Sequence, residues 1–463
     1  MPPETIDSLD KDSLKPLVAE LLGKVDRLLD QNSALLDQIK VLNARIAEFE
    51  GRNGKPPKSP ANSHVPPSSG QKANAPVGAT KRRKGRPGVA RDLCPTPDVT
   101  RNIFAERCAC GTVLSAAGQD VSFAYDHIDL PIIKPITTRI NLHKGACPCC
   151  RKQTSATPPA DMQPRSPFGP NIASTVAYLH GCQMVSYSRL TEMMQGVFGV
   201  KISEGAIAKM LARGAIPLAR EADKIADIVR GSAVIASDET SARVQGKTFW
   251  QWVFSGPTAV YHVIAPTRGK SVPVDFLSGI KPDVWLSDRL AQQHKHATVH
   301  QYCLAHLIRD AQYAVDAGDA IFAPVMKAFL RYLCGIGRRR LDLSGAELAK
   351  AARDNARRLD RLLALEPTQL DGRKLRDMFE VTARDKLMVF LTRRDVEPTN
   401  NGAERELRPS VIFRKVTNGF RSLWGAKAHA DLRSIVATGR LAGRSPLDAI
   451  RTVLNQASGA APA

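Results

Sequence analysis

The segment from residue 233 to residue 288 constrains the fold more than any other part of the sequence. It contains the runs AVIASDET, QWVFS, AVYHVIA and DVWLSD, whose β-branched and aromatic residues are typical of strands. Gly256-Pro257 joins the second run to the third, and a short helical stretch precedes the fourth. This order predicts a three-stranded antiparallel start followed by a crossover to another strand, and therefore a mixed α/β sheet.

Two carboxylates follow the first and the fourth of these predicted strands. Asp238 is expected at the end of the first strand and Asp288 at the end of the fourth. In an open α/β sheet both side chains then face the crevice at the carboxyl ends of the strands. Carboxylate oxygens are ligands that Mg²⁺ prefers, and a pair of such ions promotes phosphodiester displacement. The pattern therefore predicts a two-metal site that needs a third acid.

Glu404 is the candidate for that third acid. It lies in EPTNNGAERELRPSVIFRKVTNGFRS, where residues 400–402 open a predicted helix. A carboxylate among many cations is expected where the cations bind DNA phosphates and the acid binds metal. Glu406 and Glu239 are second choices, because helix and strand periodicity point each of them away from its acidic neighbour. The surrounding cations are Arg405, Arg408, Arg414, Lys415 and Arg421.

The chain as a whole is strongly basic. In 463 residues, 66 Lys and Arg oppose 45 Asp and Glu, which gives a formal net charge of +21 and a pI near 9.8. This balance favours a polyanionic partner, and nucleic acid first of all. We find no hydrophobic signal segment and no run suited to a membrane span, so the sequence predicts a cytoplasmic, nucleoid-associated protein.

Apolar residues near the N-terminus recur in heptads. The pattern over residues 1–50 predicts a coiled coil and at least a homodimer, in which Asn32 would fix the register. An amphipathic helix packed on its own chain is the alternative, since Leu22, Leu29 and Leu36 widen the stripe. The heptad positions are Val18, Leu21, Val25, Leu28, Asn32, Leu35, Ile39, Leu42, Ile46 and Phe49.

Residues 51–91 have the composition of a disordered linker, with ten Lys or Arg, no Asp or Glu, and many Pro, Gly and Ser. Within it, Gly85-Arg86-Pro87 is similar to an AT-hook core that lies in the minor groove. Non-specific phosphate contact is the alternative interpretation. The candidate DNA-binding residues here are Arg82, Arg83, Lys84 and Arg86.

Five of the nine cysteines fall in two tight groups within residues 92–160. Cys108 with Cys110, and Cys147 with Cys150, predict a zinc-ribbon-like module that binds structural Zn²⁺, with a strand-like stretch from residue 127 to residue 141 between them. Free buried thiols are the alternative. Cys149 lies between the second pair and is not expected to join the same tetrahedron.

Residues 161–230 have helical periodicity. The segment from residue 189 to residue 213 divides near Gly199 into two short predicted helices, with Ser203 available to cap the second. This spacing is typical of a helix-turn-helix DNA-binding region, although an ordinary helical hairpin is as common. The basic side chains placed to meet DNA are Arg189, Lys201, Lys209 and Arg213.

Taken in order, these segments resemble bacterial DDE transposases of the insertion-sequence sixty-six family. The resemblance rests on the heptads, the NSHVPPSSGQK linker, the cysteines, the DET motif at Asp238, the strand-end Asp288, CLAH at residues 303–306 and NNGAERELRP around Glu404. It implies an RNase H-like catalytic core formed by residues 231–309 and 396–463, interrupted by a helical insertion at residues 310–395. Departures from the family pattern are Ser-Ala after DET and the Cys-x-Cys spacing.

The resemblance also implies an activity. It is Mg²⁺-dependent DNA cleavage and strand transfer, with Asp238, Asp288 and Glu404 as catalytic metal ligands. The implied partners are transposon ends, target DNA and small accessory proteins of the same element. Two other functions remain open from the residues alone: a non-catalytic DNA-binding regulator, and a structure-selective nuclease on the same fold.

The CLAH motif places Cys303 three residues before His306. Such a pair supplies only two of the four ligands that zinc usually takes, so we expect it to pack at the start of a helix after the fifth strand. His294, His296 and His300 lie close by in the sequence, and a site shared with them stays open.

Overall fold

The structure is a computed structural model that describes residues 11–52, 55–63, 91–164 and 166–458. The chain divides into two compact units. The first unit comprises Met1–Gly70, Leu142–Leu190 and Ser203–Ala463, and the second comprises Gln71–Asn141 and Thr191–Ile202.

Both α-helices and β-strands occur in these residues. The helices are α1 (Lys11–Arg52), α2 (Pro170–Gly181), α3 (Tyr187–Phe198), α4 (Glu204–Arg230), α5 (Ser271–Leu277), α6 (Leu304–Asp316), α7 (Phe322–Arg338), α8 (Gly345–Leu363), α9 (Leu370–Met378), α10 (Val389–Thr392), α11 (Asn401–Thr417), α12 (Leu423–Leu441) and α13 (Pro446–Ser458). The strands are β1 (Lys144–Ala146), β2 (Gln153–Ser155), β3 (Val234–Val244), β4 (Lys247–Ser255), β5 (Val260–Ala265), β6 (Val284–Ser287) and β7 (Val299–Tyr302).

A five-stranded mixed sheet lies at the centre of the first unit, with strand order β5-β4-β3-β6-β7. Strand β4 pairs antiparallel with both β3 and β5, whereas β3–β6 and β6–β7 are parallel. The prediction of three antiparallel strands followed by a crossover is therefore confirmed, as is the mixed α/β class.

Strand β3 is longer than the sequence analysis predicted. It continues past Asp238 to Val244, because Gln245 and Gly246 form a tight turn with φ values of 50° and 75° that returns the chain into β4. Positive φ at both central residues gives the turn a twist that matches an antiparallel hairpin. Asp238 therefore lies within the strand and not at its end.

Helices cover both faces of this sheet. Alternate residues of β6 point to opposite faces, so Val284 packs in one apolar cluster and Trp285 in the other. The cluster around Val284 is formed mainly by helices α6–α10. The cluster around Trp285 includes residues of α2, α4, α12 and α13.

The predicted break between two helices near Gly199 is present. Helix α3 ends at Phe198, Gly199 has a φ of 65°, and Ser203 caps α4 by accepting a hydrogen bond from the backbone N–H of Ala206. The second helix is not short, however, since it spans 27 residues. It ends at Arg230, where Gly231 caps it, and its buried positions extend along most of its length.

Helix α1 carries the predicted heptads over 42 residues. Where its side chains are described, the apolar heptad residues and the flanking leucines are 49% to 60% exposed. No described part of the chain covers this stripe, which argues against packing on its own protein. In the described helices we find none that is both long and apolar enough to cross a bilayer.

Part of the predicted linker is structured. Residues 55–63 include a turn in which Asn62 is buried and donates from Nδ2 to Oδ2 of Asp316 at 2.8 Å. Its Oδ1 accepts from the backbone N–H of Ser59 at 2.7 Å. The expectation of disorder is therefore wrong for this piece, because side-chain hydrogen bonds replace the missing apolar burial. The basic run with Arg82, Arg83, Lys84 and Arg86 lies outside the described residues.

The second unit contains the first cysteine pair. Cys108 donates from its backbone N–H to the carbonyl of Thr112 at 2.9 Å, which closes a turn around Cys110. The stretch from residue 127 to residue 141, predicted to be strand-like, contains neither helix nor strand. Its isoleucines are β-formers, but the described residues supply no partner strand, and a strand without a ladder is not stable.

Candidate acidic active site

The strand register brings Asp238 and Asp288 level with each other. Ala236 of β3 pairs with Leu286 of β6, and each acid lies two residues further along its own chain segment. Although β3 continues beyond Asp238, its parallel pairing with β6 ends at Ala236. The two acids therefore share the sheet edge at which this pairing stops, as the sequence predicted.

Asp288 is the first residue after β6 and is half-buried. Its Oδ1 accepts a hydrogen bond from the backbone N–H of Leu290 at 2.9 Å, which fixes the carboxylate against the following turn. Next to it, Arg289 donates from Nη2 to Oδ2 of Asp310 at 2.7 Å. The loop that carries Asp288 is thus held by its own carboxylate and by an ion pair to α6.

Glu404 lies in the first turn of α11, and the start of this helix is tied to β3. Asn400 is fully buried and donates from Nδ2 to the carbonyl oxygen of Ser237 at 2.8 Å. Its backbone N–H also donates to Sγ of Cys303 at 3.1 Å. Since Ser237 immediately precedes Asp238, these bonds bring the start of the Glu404 helix to the strand that carries the first acid.

The charges of neighbouring acids act on Asp238. Burial raises the pKa of Asp238 well above its ordinary value, and the charges of Glu239, Asp288 and Glu404 raise it further. Like charges act in this way only when they are close enough to oppose each other's ionisation. The strand register and the bond from Asn400 to Ser237 thus bring the chain segments that carry the three selected acids to the same edge of the sheet.

Glu404 also contacts two side chains of α6. Its Oε1 lies 3.6 Å from Nδ1 of His306 and 3.8 Å from Nη2 of Arg309. Possible ligand atoms of Cys303, His306 and Glu404 all lie within 4.8 Å of one another. Sequence reasoning found the Cys-x-x-His pair but missed Glu404 as its neighbour, because nothing in the sequence relates the starts of two distant helices.

The other histidines near this motif have partners elsewhere. His294 pairs through Nε2 with the hydroxyl of Tyr302 at 3.2 Å, and His296 pairs with the backbone oxygen of Gln292 at 2.7 Å. Burial lowers the pKa of His300 to about 3, so this side chain is neutral near pH 7. Among the described residues, these three do not join the group formed by Cys303, His306 and Glu404.

The two second-choice acids point away from the site as predicted. Oε2 of Glu406 lies 3.4 Å from Nη2 of the buried Arg433. Glu239 accepts hydrogen bonds from Arg268 and Gln293 on the other face of the sheet. Burial raises the pKa of Glu239, and the charge of Asp288 raises it further, while its bond to Arg268 opposes this.

Comparison with known proteins identifies the family. The model of the Transposase IS66 family matches residues 165–428, which is more than half of the chain and includes the three acids. The chain belongs to the IS66 transposase family. No curated protein matches the sequence. Membership implies DNA as the partner and transposition as the process in which this transposase takes part.

The cations predicted to bind DNA differ in their surroundings in this transposase. Arg405, Arg408 and Lys415 are exposed on α11. Arg414 is half-buried and donates from Nη1 to Oγ of Ser241 at 2.6 Å and to the carbonyl of the same residue. Its guanidinium therefore already ties α11 to β3, whereas the other three cations point into solvent.

The predicted zinc ligands fall in two different units, and each pair is described by itself. Strands β1 and β2 form an antiparallel hairpin that carries Cys147, Cys149 and Cys150 at its tip. Hydrogen bonds from the backbone of Cys150, and then of Cys149, lower the pKa of Cys147. In the other unit, a hydrogen bond with Thr112 lowers the pKa of Cys110 to about 7. Both thiols are thus biased towards the thiolate form that binds metal.

Proposed function

We propose that this IS66 transposase is a DDE enzyme that cleaves transposon ends and joins the freed 3′-hydroxyl to target DNA in a Mg²⁺-dependent reaction. The observation that carries the proposal is geometric: the strand register sets Asp238 and Asp288 level at one sheet edge, and Asn400, at the start of the Glu404 helix, bonds to the residue before Asp238. Three carboxylates crowded at one sheet edge are costly unless cations balance them. A family of transposases supplies the reaction that such a site would serve.

The donor set of these acids fits magnesium. Each side chain offers hard oxygen ligands of the kind that Mg²⁺ prefers. Two divalent ions held there would activate the attacking oxygen and stabilise the leaving one. Asp238 and Asp288 would hold the ions from the sheet edge and Glu404 from the start of α11.

The fold supports the same proposal. A mixed sheet of three antiparallel strands and two parallel strands, with a helix after the last one, is the arrangement expected of an RNase H-like core. Helices α7 to α10 lie between the two parts of this core in sequence and would form the insertion. We assign residues 231–309 and 396–463 to the core and residues 310–395 to the insertion.

Other parts of the chain would serve DNA binding and assembly. Exposed cations of α11, together with the basic linker, would contact phosphates, and the α3–α4 region would supply further contacts. The exposed heptads of α1 would pair with a second copy, so that two transposon ends can be held together. Zn²⁺ held by Cys108, Cys110, Cys147 and Cys150 would stabilise the cysteine module, and small proteins of the same element would be accessory partners.

Strand cleavage and strand transfer by the full chain test the proposal. Asp238→Asn, Asp288→Asn and Glu404→Gln should each lower both activities by at least about a hundredfold, because each removes a metal-binding carboxylate from the site. Glu406→Gln is the matched control on the same helix, since Glu406 faces Arg433 and should leave both activities nearly unchanged. DNA binding measured in parallel should persist in all four variants.

Three outcomes would separate this proposal from its rivals. DNA binding without any metal-dependent cleavage would indicate a regulator. Cleavage without joining would indicate a structure-selective nuclease. Activity of Asp238→Asn at the level of the unchanged protein would refute the assignment of the site.

A further inference from the structure

We propose that Glu239 is a positioning residue that sets the spacing between the two aspartates of the acidic site. It lies next to Asp238 on β3 but on the opposite face of the sheet, where it is bonded to Gln293 in the loop that follows Asp288. A single buried carboxylate thus joins the two chain segments that carry Asp238 and Asp288. The inference deepens the proposed function and rests on it.

The hydrogen bonds of Glu239 occupy both of its carboxylate oxygens. Oε1 accepts from Nε of Arg268 at 3.0 Å and from Nη2 at 2.6 Å, and Oε2 accepts from Nε2 of Gln293 at 2.7 Å. The side chain of Glu239 is only 1% exposed. Bonds to a charged acceptor are short and strong, so they define the orientation of the carboxylate. Glu239 therefore acts as a connector and is not available as a further metal ligand.

Gln293 is anchored on its other side as well. It is fully buried, and its Oε1 accepts a hydrogen bond from Nε1 of Trp285 at 3.0 Å. Trp285 belongs to β6, the strand that ends immediately before Asp288. The amide of Gln293 therefore bridges β6 and β3, and the short 3₁₀-helix Ala291–Gln293 cannot shift without breaking these bonds.

The loop from Asp288 to Gln293 is consequently fixed at both ends. At its start, the carboxylate of Asp288 accepts the backbone N–H of Leu290, and at its end Gln293 is bonded to Glu239. Residues that orient metal ligands through hydrogen bonds commonly contribute about ten- to a hundredfold to metal affinity. A loop freed from β3 would let Asp288 move away from Asp238 and would weaken the site.

Arg268 makes a buried carboxylate beside Asp238 tolerable. Two nitrogens of its guanidinium donate to Oε1 of Glu239, and the guanidinium lies over the ring of Trp250, 4.7 Å from the ring centroid. An unpaired carboxylate in this position would be strongly destabilising. The ion pair thus lets a charged hydrogen-bond acceptor lie one residue away from a metal ligand.

Mn²⁺ binding to the full-length, DNA-free protein tests the inference, measured by the loss of the free-ion signal in electron paramagnetic resonance. Mn²⁺ prefers oxygen ligands and discriminates against the thiolates of the cysteine module. Gln293→Met conserves volume but removes the donor to Glu239, and Glu239→Gln keeps the shape but removes the charge. Each should weaken Mn²⁺ binding about tenfold.

Gln292→Met is the matched control. Gln292 lies in the same 3₁₀-helix, and among the described residues its side-chain oxygen has no hydrogen-bond partner. This variant should bind Mn²⁺ like the unchanged protein. A loss of affinity in Gln292→Met equal to that in Gln293→Met would overturn the inference, because it would show a general effect of disturbing the helix.

Thermal unfolding of the same samples separates positioning from folding. If Gln293→Met does not fold, the inference is tested on Glu239→Gln alone. A Mn²⁺ affinity of Glu239→Gln within twofold of that of the unchanged protein refutes the inference. Asp238→Asn distinguishes this failure from failure of the proposed function. If Asp238→Asn also leaves Mn²⁺ binding unchanged, then the assignment of the acidic site itself is wrong. If Asp238→Asn abolishes Mn²⁺ binding while Glu239→Gln does not weaken it, then only the proposed role of Glu239 is wrong.

Discussion

Nδ1 of His306 lies 3.6 Å from Oε1 of Glu404. This contact joins the first turn of α6, which follows the parallel strands, to the first turn of α11, which carries the third acid. The helices between them in sequence pack with α6 and with Val284 and Tyr302 of the sheet in one apolar cluster. Contacts with α6 and β3 therefore fix the position of Glu404, although a long helical segment separates α11 from both elements in sequence.

Removal of this contact should reduce cleavage without abolishing it. His306→Ala leaves Glu404 in place but takes away the side chain that packs against its carboxylate, so we expect about a tenfold loss of cleavage rate. The measurement is Mg²⁺-dependent cleavage of an end-bearing duplex under single-turnover conditions. His127→Ala is the control, since His127 is exposed and belongs to the second unit. Equal losses in the two variants would contradict a specific role for His306.

Asp238→Asn should stabilise the protein when no divalent metal is present. The folded state raises the pKa of Asp238 through burial and neighbouring charges, so folding disfavours the ionised form. Neutral asparagine avoids this cost, and we expect a gain of about 1 kcal/mol in the free energy of unfolding near pH 7. Denaturant unfolding in chelator measures it, and exposed Asp275→Asn is the control.

The pH dependence of this gain has a defined sign. Because the pKa of Asp238 is higher in the folded than in the unfolded chain, the unchanged protein loses stability as pH rises through the folded pKa and regains it as pH falls towards the ordinary value of 3.8. The advantage of Asp238→Asn should therefore shrink on acidification. An advantage that grows as pH falls would contradict the raised pKa.

Local patterns predicted the sheet and the acids, but not the contacts between distant elements. The strand order and the shared edge of Asp238 and Asp288 follow from alternation, turns and one crossover. The extension of β3 past Asp238 was missed, although the Gln245-Gly246 pair before the next strand is a recognisable turn signal. The meeting of His306 and Glu404 had no such signal, because it depends on how a whole helical segment packs.

Exposed and half-buried arginines on α11 should respond differently to substitution. Arg408→Ala should weaken DNA binding and lower the slope of log affinity against log salt by about 0.9, as expected for one lost phosphate contact. Arg414→Ala should instead destabilise the fold by roughly 1–2 kcal/mol, because Arg414 donates to Ser241 on β3. Salt titrations and denaturant unfolding measure the two effects. A larger salt effect in Arg414→Ala than in Arg408→Ala would reverse the assignment.

The exposed heptads of α1 should hold two chains together. Lysines in place of Leu28 and Leu35 would put like charges into the seam of a parallel pair, so the double variant should sediment as a smaller species than the unchanged protein. Ser33→Lys lies off the seam by the heptad spacing and should leave the mass unchanged. An unaltered sedimentation coefficient for Leu28→Lys with Leu35→Lys would show that α1 does not mediate assembly.

The cysteine hairpin offers a sharp distinction between neighbouring thiols. Backbone hydrogen bonds from Cys150 and Cys149 converge on Cys147 and lower its pKa, so Cys147 is the member of the second group most biased towards a metal-binding thiolate. We expect about one zinc per chain in protein purified without chelator, measured by elemental analysis. Cys147→Ser should lose this zinc. Cys149→Ser should keep it, because Cys149 lies within the turn between the proposed ligands. Equal loss from both variants would show that the ligand set is wrong, and absence of zinc from the unchanged protein would leave a hairpin of free thiols.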